Sequence, residues 1–341
     1  MLKLRRGTVS CADPLTVRIG EQLRPAWADR ALVGEVLKGD EVIVNTEALD
    51  LELGSGGFDV VHANLTRGLG AEAGDRTEHV MKLNYTSLQH SVEPVEEGHE
   101  TDWRPRRAIP VLVCFLHGQL APAAWSVVQA APGLKVGYVQ TVGGALPGTL
   151  SRDVAAIRGS GLLCGHLTAG PCHGGEHEAI SVTGALHAAA GSLGWDAVIA
   201  APGPGILGSA TRYGHGGMAA LDSAHSALAL GLPTAIAPRL SSADERPRHR
   251  GLSHHTEAVL RLLLAPVQVA SPEGAASAEE LAAGIPEPHR VASETVDLDG
   301  YAASGLPART MGRGIDEDPD FFAAGLAGGS LLASLAAGKG S

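Results

Sequence analysis

From Ile109 onward the chain repeats one texture that narrows its fold sharply. Apolar runs of five to eight residues alternate with stretches of helical periodicity. The runs are Ile109–Leu116, Lys135–Gln140, Gly161–Leu167, Asp196–Ala201, Thr234–Pro238 and Val267–Ala270. The helical stretches are Pro122–Ala131, Leu150–Arg158, Glu176–Ser192, Met218–Leu230, Ser253–Leu264 and Ser277–Ala283. Strands that are apolar almost throughout must be covered on both faces. Alternation with helices means βαβ crossovers, which are right-handed and place helices on both sides of a parallel sheet. The expectation is α/β: a doubly wound, Rossmann-like parallel sheet. Aromatic residues are only 4% of the chain, so its core must come from Ala, Val, Leu and Ile.

The first ~90 residues read differently. Short β-like pieces (Leu2–Val9, Leu15–Ile19, Glu41–Thr46, Asp59–Ala63, His79–Leu83) are separated by Gly, Pro and Asp turns. That spacing predicts a small β-barrel-like domain over 1–90. Residues 91–107, acidic then basic and carrying Pro94 and Pro105, read as a linker. The α/β domain would then span 108–341, with a C-terminal helix over Phe321–Gly338. That last segment is uncharged but rich in Ala, Gly and Ser, which gain little in lipid, so it is expected to dock on the fold without spanning a membrane. No apolar stretch follows Met1–Arg6 as in a secretion signal. The four cysteines, Cys11, Cys114, Cys164 and Cys172, show no disulfide spacing, so a cytoplasmic setting is expected. A net charge of −11 argues against a sequence-independent nucleic-acid binder, because phosphate neutralisation needs a basic surface.

Ligands of parallel sheets bind outside the carboxyl ends of the strands. The segments following the strands are therefore the informative ones. His117-Gly118-Gln119 follows the first strand and Thr141-Val142-Gly143-Gly144 the second. The fourth is followed by Gly203-x-Gly205-x-x-Gly208, a dinucleotide-type spacing in which backbone N–H groups can approach a phosphate at a helix N-terminus. Pro204 removes one of those N–H groups, and Arg239 ends the next strand where a ribose-binding acid is usual. A small anion is expected there in place of a full dinucleotide, with Ser209, Thr211 and Arg212 as further ligand contacts.

The fifth strand is followed by Arg246, Arg248, His249, Arg250, Ser253, His254 and His255, a cationic concentration in an acidic protein. Guanidinium forks match carboxylates and phosphates. Ser253 suits a helix N-cap, which would place His254 and His255 in the first turn. His254, His255 and Asp244 are the candidate catalytic residues, the histidines because they exchange protons near neutral pH. The competing reading is an internal ion-pair network with Asp244 and Glu245, or a contact between two copies in a homodimer.

Other chemistries are weaker. His173-Gly174-Gly175-Glu176-His177 has the spacing of an inverted zincin, beside Cys164, His166 and Cys172, and would make a zinc-dependent hydrolase. That motif needs a helix, and Gly174 and Gly175 oppose one. No metal ligand is therefore assigned. Gly-x-Ser-x-Gly and Gly-x4-Gly-Lys-Ser/Thr do not occur, and the sequence names no cofactor.

Several segments resemble a bacterial family known as domain-of-unknown-function family 3866, found mainly in actinobacteria and firmicutes. They are Val44-Asn45-Thr46, Gly56-Gly57-Phe58, Gly143-Gly144-Ala145-Leu146-Pro147, Gly203-Pro204-Gly205 through Gly217, the run Arg246 to His255, and Thr310-Met311-Gly312-Arg313-Gly314. The resemblance implies no activity. The family pattern is apolar around Cys172, His173 and His177, which lowers the zinc reading further. The expected function is binding of a small anionic metabolite, phosphorylated or nucleotide-like, in a transferase or hydrolase. A non-catalytic sensor or scaffold is the alternative.

Overall fold

The computed structural model describes residues 2–52, 56–69, 78–97, 103–274, 281 and 283–338. The chain divides into two compact units, Met1–Val92 and Glu93–Ser341.

In the first unit, β1 (Leu4–Ala12), β2 (Leu15–Ile19), β3 (Gln22–Trp27), β4 (Glu41–Asn45) and β5 (Asp59–Asn64) close a barrel in the order β1-β2-β3-β5-β4. Closure removes the exposed edges that short strands would otherwise leave. Two short helices, α1 (Arg30–Val33) and α2 (Glu47–Asp50), and a hairpin of β6 (Val80–Lys82) and β7 (His90–Val92) complete the unit. Val9, Val17, Ile19, Val33, Val36, Val42, Val44 and Val61 form its small core. Two buried carboxylates help to hold it. Asp59 receives Arg24 through Nε (2.5 Å) and Nη2 (3.0 Å), and Asp40 receives Arg67, Asn64 and the Leu37 amide.

The second unit is built on an eight-stranded, all-parallel sheet, the doubly wound, Rossmann-like architecture expected. Its strands are β8 (Val111–Cys114), β9 (Val136–Thr141), β10 (Gly165–Ala169), β11 (His177–Ala179), β12 (Ala197–Pro202), β13 (Thr234–Ala237), β16 (Gln268–Pro272) and β17 (Arg290–Glu294). The small hairpin of β14 (Leu240–Ser241) and β15 (Gly251–Leu252) intervenes. The sheet order is β11-β10-β9-β12-β8-β13-β16-β17. The crossover helices are α3 (Leu120–Ala130), α4 (Arg152–Gly159), α5 (Val182–Ala190), α6 (Ala219–Ala229) and α7 (His254–Leu260). Serine N-caps start three of them: Ser151 accepts from the Val154 amide, Ser181 from Gly184 and Ser253 from His255. The unit ends with α8 (Leu298–Ala303), a two-residue ladder of β18 (Arg309–Thr310) with β19 (Arg313–Gly314), and α9 (Pro319–Ala336).

Trp195 decides the packing under the β9 and β10 end of the sheet. Its ring occupies the place a side chain would take at Gly137 and at Gly165, on adjacent strands. Helix α9 is, among the described residues, the one helix long and apolar enough to cross a membrane, yet 72% of it is buried. It packs on α3 and the sheet through Phe321, Phe322, Leu326 and Leu332, so its apolar surface already has partners within the fold.

Several elements differ from the sequence expectation. The helix expected from Glu176 begins at Val182, because His177–Ala179 instead pairs in parallel with β10 as an edge strand. Strands β3 and β17 were missed. Gln22–Trp27 is interrupted by Arg24 and Pro25 and has no fully buried residue, and Arg290–Glu294 is an edge strand with little buried surface, so neither shows an apolar run. Most of the helix expected over Ser277–Ala283 lies outside the described residues.

Candidate functional site

The strand order sets where loops part. From β9 the chain runs one way along the sheet to β10, and from β12 it runs the other way to β13. Right-handed crossovers then put the two connecting helices on opposite faces, opening a crevice between the strand ends. The same divergence separates β8, which leads back to β9, from β13, which leads on to β16. The segments 203–217 and 239–255, following β12 and β13, both emerge at this carboxyl edge.

After β12, no helix begins at Gly208. Residues 208–215 fold into a tight turn instead, with Gly208 bridged to His215, the Ser209 amide donating to the Gly214 carbonyl (2.7 Å), and Ser209 and Thr211 hydroxyls 2.7 Å apart. Helix α6 starts only at Ala219. The glycines serve close packing of this loop on the one after β9. The Gly203 carbonyl stands where a side chain at Gly144 would be, and the Gly216 carbonyl where one at Gly143 would be. Gly203 is buried in this contact, while Gly205 and Gly208 are exposed.

After β13, the chain passes through Arg239, the β14–β15 hairpin and a 3-10 turn over Pro247–His249 before Ser253 caps α7. Asp244 organises this loop. Its side chain is 2% exposed, and its carboxylate receives Arg239 (3.2 Å), Arg246 through Nε and Nη2 (2.9 and 2.8 Å), and Arg313 at 3.5 Å. Burial alone would raise its pKa, but the hydrogen bonds from Arg246 and the charge of Arg239 hold it well below the carboxylate range. Its lone pairs are thus committed to guanidinium groups, which makes Asp244 the anchor of the arginine cluster. Asp318, at the start of α9, ties the same region together by accepting from Ser241, Ser242 and Arg313.

Four histidines gather beside this node. His215 and His255 stack face to face, with centroids 3.6 Å apart and planes 9° apart. His254 stands edge-on to both, at 5.3 and 4.5 Å, and His249 lies 4.9 and 4.8 Å from His254 and His255. Burial lowers the pKa of all four, to about 3 for His249 and about 2 for His255, with the charge of Arg239 adding to the effect. All four imidazoles are therefore neutral at pH 7. His215 Nε2 donates to the Arg212 carbonyl (2.9 Å), and Arg239 Nη1 donates to His255 Nδ1 (3.3 Å). His249 Nδ1 bonds Ser253 Oγ (2.8 Å).

A cavity of about 510 Å³ opens against this cluster, lined by Ala210, Arg212, Arg248, His254, Glu257, Ala258 and Arg261. Arg261 pairs with Glu257, but neither Arg212 nor Arg248 makes an ion pair among the described residues. Of the residues singled out from sequence, the fold thus brings Arg212, Arg248 and His254 to one cavity, with His255 and His249 buried behind it. It ties the exposed Arg246 to Asp244, buries Ser253 as a cap, and leaves Arg250 exposed. Sequence reasoning missed His215 and the buried role of Arg239. The signal for His215 was faint: one bulky titratable residue between Gly214 and Gly216 in a stretch otherwise given to glycine.

The second cluster at this edge is sealed. His117 Nε2 lies 2.6 Å from Ser151 Oγ, and its Nδ1 meets the Pro202 carbonyl at 3.2 Å. His166 stacks on Tyr138 and bonds Gln140 (3.0 Å), and burial pushes its pKa down to about 4. The inverted-zincin spacing does not form its helix. His173 forms an isolated parallel bridge with Pro147 and His177 lies on β11, while Glu176 pairs with Arg158 and accepts from the His166 amide.

No curated protein and no solved structure matches the chain. A family model described as "Protein of unknown function (DUF3866)" matches residues 25–329, from within β3 of the barrel to α9. The likeness read from the glycine and arginine–histidine motifs therefore extends over most of the sequence, and the chain belongs to the DUF3866 family.

Proposed function

We propose that the mouth between segments 203–217 and 246–255 binds a small anionic metabolite, phosphorylated or nucleotide-like. One observation carries this reading: Arg212 and Arg248, from different loops and without carboxylate partners among the described residues, meet His254 at a single cavity. Guanidinium groups held at the rim of a concave site suit phosphate and carboxylate oxygens. Neutral His254 beside them can accept a proton, which fits transferase or hydrolase chemistry on the bound anion. The free cysteines fit a reducing, cytoplasmic setting.

The test is a thermal-shift series in inorganic phosphate, nucleoside monophosphates, sugar phosphates and dicarboxylates. A ligand at a hundred times its Kd adds about 2.7 kcal/mol, enough for a shift of several degrees. Arg212→Ala with Arg248→Ala should abolish the shift. If no anion raises the Tm of the wild type, the reading fails. For a ligand that binds, an enzyme loses turnover and keeps binding in His254→Ala, whereas a sensor shows no turnover from the outset.

A further inference from the structure

The histidine cluster has a geometry that anion binding does not require. We infer that His215, His254 and His255 form a binding site for one divalent transition metal ion of the imidazole-seeking class, zinc foremost, beside the arginine-lined cavity. One ring nitrogen from each of the three lies within 4.8 Å of the others. A four-coordinate zinc at about 2.05 Å from each nitrogen would draw them to about 3.3 Å apart, and the stacked rings of His215 and His255 must fan apart for both in-plane lone pairs to meet the ion.

Three further observations point the same way. First, His215 is nine-tenths buried, and its Nδ1 finds no hydrogen-bond partner among the described residues. Its other nitrogen donates to the Arg212 carbonyl, which is the outer contact that holds a metal-binding imidazole in the right tautomer. Secondly, His254 Nε2 is also buried without a partner. A buried nitrogen lone pair left unsatisfied is costly, and two in one cluster call for an occupant.

Thirdly, the stacked rings of His215 and His255 present Nδ1 on the same side, over Gly217. A side-chain carbon at Gly217 would lie 3.1 Å from one Nδ1 and 3.2 Å from the other. Gly217 has ordinary backbone angles, so the missing side chain leaves space beside both nitrogens and meets no conformational need. A metal taking His255 Nδ1 would replace the long 3.3 Å contact from Arg239, which keeps Asp244 as its counter-ion.

Three imidazoles leave the fourth coordination position open, as catalytic zinc sites do. His254 also lines the cavity that Arg212 and Arg248 line, which puts the metal site beside the arginines. This deepens the anion-binding reading and rests on it only for what fills the open position; with zinc bound His254 is a ligand, so its part as proton acceptor belongs to the metal-free protein alone. An oxyanion held by Arg212 and Arg248 is the matching chemistry, a phosphate ester or a carboxylate.

The experiment is zinc binding to the untagged, chelator-stripped full chain, measured by competition with a fluorescent zinc indicator and by elemental analysis after dialysis, with no anionic ligand added. One zinc per chain is expected. His215→Ala and His254→Ala should each weaken binding about tenfold or more. Gly217→Ala, which leaves all three ligands in place, should weaken it too, whereas His225→Ala on α6 should not. Cobalt(II) in place of zinc should give the strong visible bands of a four-coordinate site, lost in Gly217→Ala if that variant folds by circular dichroism. Zinc that fails to bind, or binds equally to wild type and to folded His215→Ala and His254→Ala, overturns the inference. Anion binding to the chelator-stripped protein is measured separately, so failure of the metal site and failure of the anion-binding reading give different results.

Discussion

Replacing Asp244 with Asn tests the account of the arginine node most directly. The substitution keeps the size of the side chain and removes its charge. Arg239 has a side chain 2% exposed, and Asp244 is its only carboxylate among the described residues. Removing one member of a buried pair leaves the other charge uncompensated and costs about 3–5 kcal/mol. Arg246, 47% exposed, adds little because water screens it, and Arg313 keeps Asp318. At roughly 2–4 °C per kcal/mol for a unit of this size, the Tm should fall by about 10 °C. Far-UV circular dichroism follows the second unit, which holds nearly all the helix. The decisive variant is the double one. Asp244→Asn with Arg239→Met removes both charges and should recover most of the loss, because a buried ion pair gives little net stability over an apolar pair. The pH dependence has a definite sign. Asp244 has a lowered folded pKa, so its contribution is present above the unfolded value near 4 and is lost as pH falls through the folded value. The gap between wild type and Asp244→Asn should therefore close on acidification. A loss below about 1 kcal/mol for Asp244→Asn, or a double variant as unstable as the sum of the single ones, would refute the reasoning.

The other expectations can be checked with the same equipment. Gly137→Ala drives a methyl into the Trp195 ring and should cost about 1–3 kcal/mol by overpacking, with a shift in tryptophan emission; an unchanged Tm would mean that the ring moves aside freely. His166, His249 and His255 have folded pKa values of about 4, 3 and 2, below the unfolded 6.5, so the unfolded chain takes up their protons first. Stability should thus be full above pH 6.5 and decline from there toward pH 4, and His166→Asn should flatten that slope in Tm-against-pH curves. Asp59→Ala removes two of the hydrogen bonds of Arg24 and leaves Asp50 as its remaining carboxylate, so it should destabilise the first unit by about 1–3 kcal/mol in urea, read by Trp27 quenching in a chain whose other tryptophans are Phe.

The sheet was legible because burial on both faces leaves no freedom in composition: Val111–Cys114 and Ala197–Pro202 are apolar throughout and could hardly be anything else. Edge strands lack that constraint. His177–Ala179 is polar and three residues long, so its sequence reads as the turn before a helix. The site was legible where charge is concentrated, since arginines and histidines in an acidic protein must either pair or face a ligand. What sequence could not provide was the division between those outcomes. Arg246 and Arg248 are two residues apart, yet one is folded onto Asp244 and the other lines the cavity. That difference is set by the 3-10 turn at Pro247–His249 and by Asp244, and no local pattern encodes it. His215 was missed for the same reason. Its partners lie about 40 residues ahead in sequence, and the pairing of two loops exists only after the strands are ordered.

The three arginines gathered on Asp244 and the two that line the cavity are restrained to different degrees. Arg239, Arg246 and Arg313 share one anchor, whereas Arg212 and Arg248 have no ion pair among the described residues. Guanidinium groups a few residues apart in sequence should therefore reorient at different rates, the anchored set slowly and the cavity pair fast, a contrast that side-chain NMR relaxation would read directly.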